Sequence, residues 1–168
     1  MDKLWAPWRV PYITKIVKQT KGSVFTKILK EKNDKKNYIF IRTKYSFSVL
    51  NLYPYNNGHV LVLPKRQVKD LSDLRREERD DLMDLLEETK SLLDEVLKPA
   101  GYNIGINIGR IAGAGFPQHL HIHIVPRWKG DANFMPVVAN TKVISQSLDT
   151  LYQKLVDAYK KRHRRTRR

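Results

Sequence analysis

The chain has 168 residues, which is enough for one domain with its own hydrophobic core. It contains no cysteine, and this excludes a disulfide framework, a thiolate zinc site and a cysteine nucleophile. Lys and Arg number 32 against 17 Asp and Glu, so the formal net charge is +15 and the chain should attract polyanions. No apolar run approaches the length of a signal-peptide core or a membrane span, and we therefore expect a cytoplasmic protein without membrane contact.

The first half of the chain predicts a short helix followed by three strands. Residues 1–36 form an N-terminal extension, with a helix expected around Ser23–Lys32. The next segments are rich in β-branched and aromatic residues, and Pro54 and Asn56-Asn57-Gly58 mark a turn between two of them. Because the connections are short, we predict an antiparallel meander. Its strands are Tyr38–Thr43, Phe47–Leu52 and His59–Leu63.

The second half predicts two helices and two further strands. Apolar residues recur at helical spacing within Asp70–Leu97, where Ser72 is expected to cap a short first turn and Pro99 to end the helix. A weaker helical pattern covers Val143–Tyr159. Strands interrupted by one long helix predict an α+β fold with helices on one face of an antiparallel sheet. The additional strands are Tyr102–Ile108 and Leu120–Pro126.

We expect one domain over residues 1–159, followed by a flexible basic tail over residues 160–168. Seven of these last nine residues are Lys or Arg. A charge run of this kind is either a solubilising tail or a contact for polyanions such as nucleic acid.

Three histidines lie within five residues, at His119, His121 and His123. Side chains alternate along a strand, so the three imidazoles should share one face while the core lies on the other. Three polar rings in a row are not a packing solution, because each ring nitrogen needs a hydrogen-bond partner. The intervening residues expected in the core are Leu120, Ile122 and Ile124.

Two chemistries are compatible with this pattern. One is a zinc site in which His59 supplies a distant ligand, although strand spacing makes convergence of all three histidines on one ion difficult. The other is covalent catalysis by one imidazole, with its neighbours as orienting or acid–base groups. Arg127 ends the strand and would place a cation near an anionic substrate, and nearby glycines would let backbone N–H groups approach that anion. These are Gly105, Gly109, Gly113 and Gly115. Nucleophile and anion cradle together favour phosphoryl or nucleotidyl transfer.

The segment His119-Leu120-His121-Ile122-His123-Ile124-Val125 resembles the signature of the histidine triad (HIT) superfamily. The segment Asn51–Arg66, NLYPYNNGHVLVLPKR, resembles a second conserved region of that family. LWAPWR near the start and AGAGFPQHLHIHIVPRWKGDANFMPV are similar to a bacterial branch related to diadenosine tetraphosphate phosphorylases and hydrolases. The resemblance covers roughly residues 4–137. It implies a HIT-like five-stranded antiparallel sheet with a long helix and a C-terminal helix, assembled as a homodimer.

The same resemblance implies a role for each histidine. His121 is the nucleophile that attacks the α-phosphorus and forms a nucleotidyl–imidazole intermediate. His123 hydrogen-bonds the phosphate oxygens, and His59 lies behind it. His119 helps to hold the geometry of the site near the leaving group.

Four further residues match substrate-binding positions of the family. Asn51 corresponds to a ribose contact, Asn107 to a polar position near the leaving phosphates, and Ala114 and Gly115 to the phosphate-binding loop. Many relatives carry Gln or Ser before the triad, so Gln118 or backbone N–H groups would have to replace that donor. This departure leaves the acceptor open between water and inorganic phosphate. Separately, Trp128 follows Arg127 and is expected near the nucleobase.

The resulting hypothesis is a hydrolase or phosphorylase of dinucleoside polyphosphates. No metal site and no cofactor are expected, and Mg²⁺ would act as the counter-ion of the substrate. Two alternatives are a nucleoside phosphoramidate hydrolase and a nucleotide- or RNA-binding module with little catalysis.

Overall fold

Five antiparallel strands form one sheet in the spatial order β1-β2-β3-β5-β4. The computed structural model describes residues 23–139 and 143–165, so LWAPWR and residues 166–168 lie outside the described part. The strands are β1 (Ile39–Arg42), β2 (Ser46–Leu50), β3 (Val60–Pro64), β4 (Gly101–Ile106) and β5 (Ile122–Arg127). The helices are α1 (Val24–Glu31), α2 (Arg76–Leu97), α3 (Met135–Val138) and α4 (Leu148–Arg165), and a 3-10 turn covers Leu71–Asp73. The predicted α+β class is confirmed.

One face of the sheet packs against α2 and α4 and forms the larger core. Strand side chains such as Val62 and Ile124 point to this face and meet leucines of both helices. A buried hydrogen bond of 2.6 Å joins the hydroxyls of Ser48 and Thr89 where β2 meets α2. Burial of the leucine face of α2 holds the sheet in place, because each fully buried leucine contributes about 1.5–3 kcal/mol. The fully buried helical leucines are Leu82, Leu85, Leu92, Leu93, Leu151 and Leu155.

The opposite face is covered by α1 over β1, β2 and β3. Phe47 and Leu63 of the strands pack there with Phe25 of α1. His123 lies on this same face, because it pairs with Leu61 across β3 and β5 and cross-strand partners share a face. The predicted histidine face is therefore the face on which α1 lies.

The triad segment enters β5 later than predicted. The strand begins at Ile122, and His119, Leu120 and His121 precede it. The reason is that the Leu120 N–H donates to the carbonyl of Val68, and the His119 N–H closes a turn onto Phe116, rather than pairing with a strand. The predicted alternation of side chains still holds for the apolar residues of this segment, since Leu120, Ile122 and Ile124 all lie in the larger core.

The helix boundaries also differ from the sequence prediction. Asp70, not Ser72, caps the short turn, because its carboxylate accepts a hydrogen bond from the Ser72 N–H at 3.0 Å. The last helix begins at Leu148 rather than Val143 and continues past Tyr159 to Arg165. Arg162 explains this extension, since its guanidinium binds Glu95 at 2.8 Å on α2. The expected flexible tail therefore starts as an ordered helix.

Among the described residues, the helices are each too short or too polar to cross a lipid bilayer.

Candidate active site

His59 and His123 are joined directly through their rings. His59 lies just before β3, and its Nε2 is 2.9 Å from Nδ1 of His123 on β5. The Tyr55 N–H, which can only donate, bonds to Nδ1 of His59 at 3.0 Å. His59 must therefore carry its proton on Nε2 and donate it to His123. As a neutral ring, His123 then carries its own proton on Nε2, which is a buried atom and can only donate.

A glycine turn places His59 and its neighbours. Gly58 has φ +74°, a conformation that favours glycine, and a Cβ there would lie 2.4 Å from a terminal methyl of Leu97, which would have to move. Asn56 anchors the same turn by donating to the Pro126 carbonyl at 3.0 Å. The Tyr55 ring stacks on His123 at 5.7 Å and 16°. The turn thus fixes His59 and covers one side of the histidine pair.

His121 also has a defined tautomer, but its proton is on Nδ1 rather than on Nε2. Its Nδ1 is 2.8 Å from the carbonyl of His119, which can only accept, so Nδ1 carries the proton. The lone pair of neutral His121 consequently resides on Nε2. The ring is buried and lies 4.9 Å from the ring of His123. Burial lowers the pKa of His121, an effect that the hydrogen bond to His119 opposes.

His119 uses both ring nitrogens within the protein. Its Nε2 donates to the carbonyl of Pro64 at 2.8 Å, and its Nδ1 accepts from the hydroxyl of Ser23 at 2.7 Å. Burial lowers the pKa of His119, and nearby His121 adds to this lowering. With 1% exposure, the ring braces the segment before β5 and leaves neither nitrogen for a substrate.

The expected substrate-binding residues lie at the same end of the sheet. Asn51 places its side-chain amide 3.2 Å from Nδ1 of His59. Asn107 follows β4 directly beyond the Ile106–Ile122 pair, which puts it beside the segment that carries His121. The loop folds back onto Asn107, since a Cβ on Gly113 would lie 3.9 Å from the side-chain nitrogen of Asn107.

The three loop residues expected to bind phosphate differ in exposure. Ala114 is buried, Gly115 is half-buried and Gln118 is exposed. Of the three, Gln118 therefore has the side chain that is most open to solvent.

Arg127 is not brought to the histidines, which corrects the expectation that a cation at the end of β5 lies near them, and the place of the Trp128 ring near the nucleobase stays a prediction. Arg127 lies four positions after His123 along β5, a distance of about 13 Å at strand spacing. The Arg127 guanidinium binds Asp131 at 2.6 Å and Asn103 at 2.7 Å. The Trp128 N–H also donates to Asp131, at 3.1 Å. This cluster braces the far end of the strand.

A cleft of about 170 Å³ lies between α1 and the sheet, beside the histidines. Asn51 lines it, but most of its walls are apolar and were not predicted from the sequence. The ring of Phe25, which lines the cleft, lies 5.8 Å from the ring of His121, so this wall residue is a direct neighbour of the histidine cluster. The sequence predicted the helix but gave no signal for the face on which it packs. The apolar lining residues include Val24, Phe25, Ile28, Leu61 and Phe116.

Within residues 23–139 and 143–165, no group of three or more His, Cys, Asp or Glu side chains is arranged to hold a metal ion. For the zinc hypothesis, the geometry offers a direct counter-argument. Nε2 of His59 and Nδ1 of His123 face each other at hydrogen-bond distance, so these two nitrogens do not converge on a common ion.

Comparison with known proteins gives a consistent set of similarities. A family model of the HIT domain matches residues 32–130. The chain is 39% identical over 155 residues to an AP-4-A phosphorylase of Mycobacterium tuberculosis, covering 88% of this chain and 79% of that protein. It is 42% identical over 93 residues to an asymmetrical bis(5'-nucleosyl)-tetraphosphatase of Schizosaccharomyces pombe, covering 55% of this chain and 50% of that protein.

A solved structure from Sulfolobus tokodaii, described as a hypothetical histidine triad nucleotide-binding protein, shares the fold with a TM-score of 0.68. It is 22% identical and covers 83% of this chain and 93% of that one.

We predict that His119 and His121 titrate below the ordinary histidine pKa. Their pKa values are lowered in the fold, so unfolding takes up protons, and these two residues make the protein less stable as the pH falls below about 6.5. Histidine ¹⁵N NMR between pH 5 and 8 checks this, with the same chain unfolded in urea as the reference. Titration of both rings at the unfolded value would contradict the prediction.

Proposed function

The chain belongs to the HIT-domain family, and from that premise we propose that it cleaves dinucleoside polyphosphates such as diadenosine tetraphosphate by nucleotidyl transfer through His121. The observation that carries the proposal is the proton position of His121. A carbonyl holds its proton on Nδ1, which leaves a lone pair on Nε2 of a buried neutral ring beside an apolar cleft. A neutral imidazole in this state is a competent nucleophile near pH 7.

In the first step, Nε2 of His121 attacks the α-phosphorus. The N–P bond forms as the P–O bond to the polyphosphate breaks, and the leaving phosphate takes the bonding electrons. The His119 carbonyl stabilises the positive charge that develops on the His121 ring, because it already accepts the Nδ1 proton. In the second step, the oxygen of an acceptor attacks phosphorus, the N–P bond breaks and its electron pair returns to Nε2 of His121, while a proton carried by the acceptor is released to solvent.

His123 supplies the donor for a non-bridging phosphate oxygen. The hydrogen bond from His59 occupies Nδ1 of His123, so the proton of His123 is on Nε2. The Tyr55 N–H donates to Nδ1 of His59, so the proton of His59 stays on Nε2 and is donated to His123. Preorganised donors of this kind stabilise charge on transferring phosphoryl groups without reorganisation during the reaction.

The cleft supplies the nucleoside site. Phe25 and Phe116 offer aromatic surfaces to a base, and Asn51 at the cleft wall offers an amide to a ribose hydroxyl. Asn107, Ala114, Gly115 and Gln118 then face the remaining phosphates. Arg127 has no place in this arrangement, since the contacts of its guanidinium lie at the far end of β5.

The acceptor is inorganic phosphate or water. The relative that matches 88% of this chain is named a phosphorylase, which favours phosphate. The relative named a tetraphosphatase matches only 55% of the chain. The protein itself needs no metal in this mechanism, and Mg²⁺ acts as the counter-ion of the polyphosphate.

The test is a substrate panel with wild-type protein and His121→Asn. Diadenosine tri- and tetraphosphate and an adenosine phosphoramidate are assayed with and without inorganic phosphate. Protein dialysed against EDTA and then given Mg²⁺ with the substrate should be fully active. We expect wild-type protein to cleave the dinucleotides, and His121→Asn to lose turnover by at least about 10⁴-fold while still binding nucleotide. Product chromatography identifies the acceptor.

His163→Asn is the matched control, because His163 lies on α4 beside Glu88 and Tyr159 rather than in the cleft. Quenched wild-type reactions should contain a nucleotidylated protein by mass spectrometry. Near-normal turnover by His121→Asn would exclude the nucleophile assignment. Cleavage of the phosphoramidate alone, or nucleotide binding without cleavage, would favour the alternative functions.

We also propose a homodimer built on β4. Among the described residues β4 pairs only with β5, so it is an edge strand, and Ile104 on it is 45% exposed. Exposed apolar edge strands are typical sites of self-association. Sedimentation equilibrium should give twice the 19.7 kDa chain mass for wild-type protein and a monomer for Ile104→Lys. Val143→Lys, an exposed apolar position outside the sheet, should stay dimeric; a monomeric wild-type protein would reject the proposal.

Finally, we propose that the C-terminal end of α4 binds nucleic acid through its free cations. Arg162 is engaged by Glu95 and Ser91, whereas Lys160, Lys161 and Arg164 are exposed. Replacing these three with Ala should weaken single-stranded RNA binding about tenfold at low salt and reduce its salt dependence. Diadenosine tetraphosphate cleavage should be unchanged. Arg162 is retained because it fixes the helix, and equal RNA binding by the triple variant and wild type would refute the contact.

A further inference from the structure

The first turn of α1 reaches the histidine segment from a distant part of the chain. Ser23, immediately before α1, places its hydroxyl 2.7 Å from Nδ1 of His119, 96 residues away in sequence. Both residues are buried, with 8% and 1% exposure. Ser23 also precedes residues 32–130, the span that matches the family model. This contact therefore joins α1, which precedes the span that matches the family model, to the histidine segment within that span.

The Ser23 hydroxyl does not perform the usual task of a serine at this position. Ser23 is the N-cap residue of α1, where a serine side chain ordinarily accepts a hydrogen bond from the first turn. No such bond forms here. Because Nδ1 of His119 is the acceptor, the hydroxyl must donate its proton to that ring. The Ser23 hydroxyl therefore bonds to the His119 ring instead of to a backbone N–H in the first turn of α1.

The contact continues from His119 to the nucleophile. With Nδ1 accepting from Ser23, the His119 proton is on Nε2, where it bonds to the Pro64 carbonyl at the end of β3. These two bonds fix the ring and hold residue 119 against the sheet. The carbonyl of the same residue accepts the Nδ1 proton of His121 at 2.8 Å. The orientation of that carbonyl sets the tautomer of His121.

The helix that follows Ser23 is also a wall of the cleft. Val24, Phe25 and Ile28 line it, and the Phe25 ring contacts the rings of both His119 and His121. A nucleoside seated in the cleft would therefore press on the helix that holds His119. Substrate binding and alignment of the nucleophile share one structural element.

We propose that Ser23 is a positioning residue that aligns His121 through His119 and ties this alignment to α1. The proposal rests on the nucleotidyl-transfer function given above. Ser23 does not touch the reacting atoms. Its effect lies in the fraction of molecules in which Nε2 of His121 has its lone pair directed for attack, so its loss should change kcat rather than substrate affinity.

The kinetic test compares Ser23→Ala, Ser23→Thr and Ser147→Ala in the full chain with diadenosine tetraphosphate. Ser147 is the matched control, because it precedes α4 and its hydroxyl accepts from the Thr150 N–H at 3.2 Å, as an ordinary cap. We expect Ser23→Ala to lower kcat by about ten- to a hundredfold with KM within about twofold. Ser23→Thr retains the hydroxyl and should restore kcat, and Ser147→Ala should leave it unchanged.

Histidine ¹⁵N NMR gives a second measurement that needs no substrate. Wild-type protein should show His119 protonated on Nε2 and His121 on Nδ1, and Ser23→Ala should show a mixture of tautomers at these rings. Normal kcat and unchanged tautomers in Ser23→Ala would overturn the proposal, as would an equal loss of kcat in Ser147→Ala. A wild-type protein that cleaves no dinucleotide would instead reject the proposed function, and the NMR comparison would still decide the role of Ser23.

Discussion

The site depends on backbone groups that fix the proton of each imidazole. An N–H can only donate and a carbonyl can only accept, so the Tyr55 N–H and the carbonyls of Pro64 and His119 each determine one ring tautomer. In the described contacts, His119 and His121 bond to carbonyl and hydroxyl groups rather than to carboxylates. A carboxylate partner would favour the charged imidazolium, whereas neutral carbonyls within a buried site favour the neutral ring. The described partners of His119 and His121 therefore favour neutral rings.

The net charge and the described surroundings of His121 act over different distances. The net charge of +15 attracts anions over long distances, whereas the ring of His121 lies near the rings of Phe25 and His123 and bonds to the His119 carbonyl. Arg127, the cation that follows the triad in sequence, is neutralised by Asp131 at the other end of β5. A basic surface raises the rate at which a polyphosphate encounters the protein, while neutral hydrogen-bond donors are left to act in the reaction.

Most of the fold could be predicted because its determinants are local. The apolar period of Asp70–Leu97 predicted the long helix, and the turn residues at Asn56-Asn57-Gly58 separated β2 from β3. The errors occurred where a contact between distant segments replaces a local one. Leu120 bonds to Val68 instead of a strand neighbour, and Arg162 bonds to Glu95, which extends α4 into the basic tail. The period of apolar residues along a helix or strand identifies the face that will be buried, but not the distant segment that will bond to it.

The sequence by itself determined which residues could do chemistry: the spacing of His119, His121 and His123 separates them from the buried Leu120, Ile122 and Ile124. Only the tertiary structure decided what each histidine does. His119 became a brace because Ser23 and Pro64 occupy both of its nitrogens, and His121 kept a lone pair because one carbonyl faces it. Strand alternation is a local property of the backbone, whereas a hydrogen-bond partner depends on how segments tens of residues apart come together.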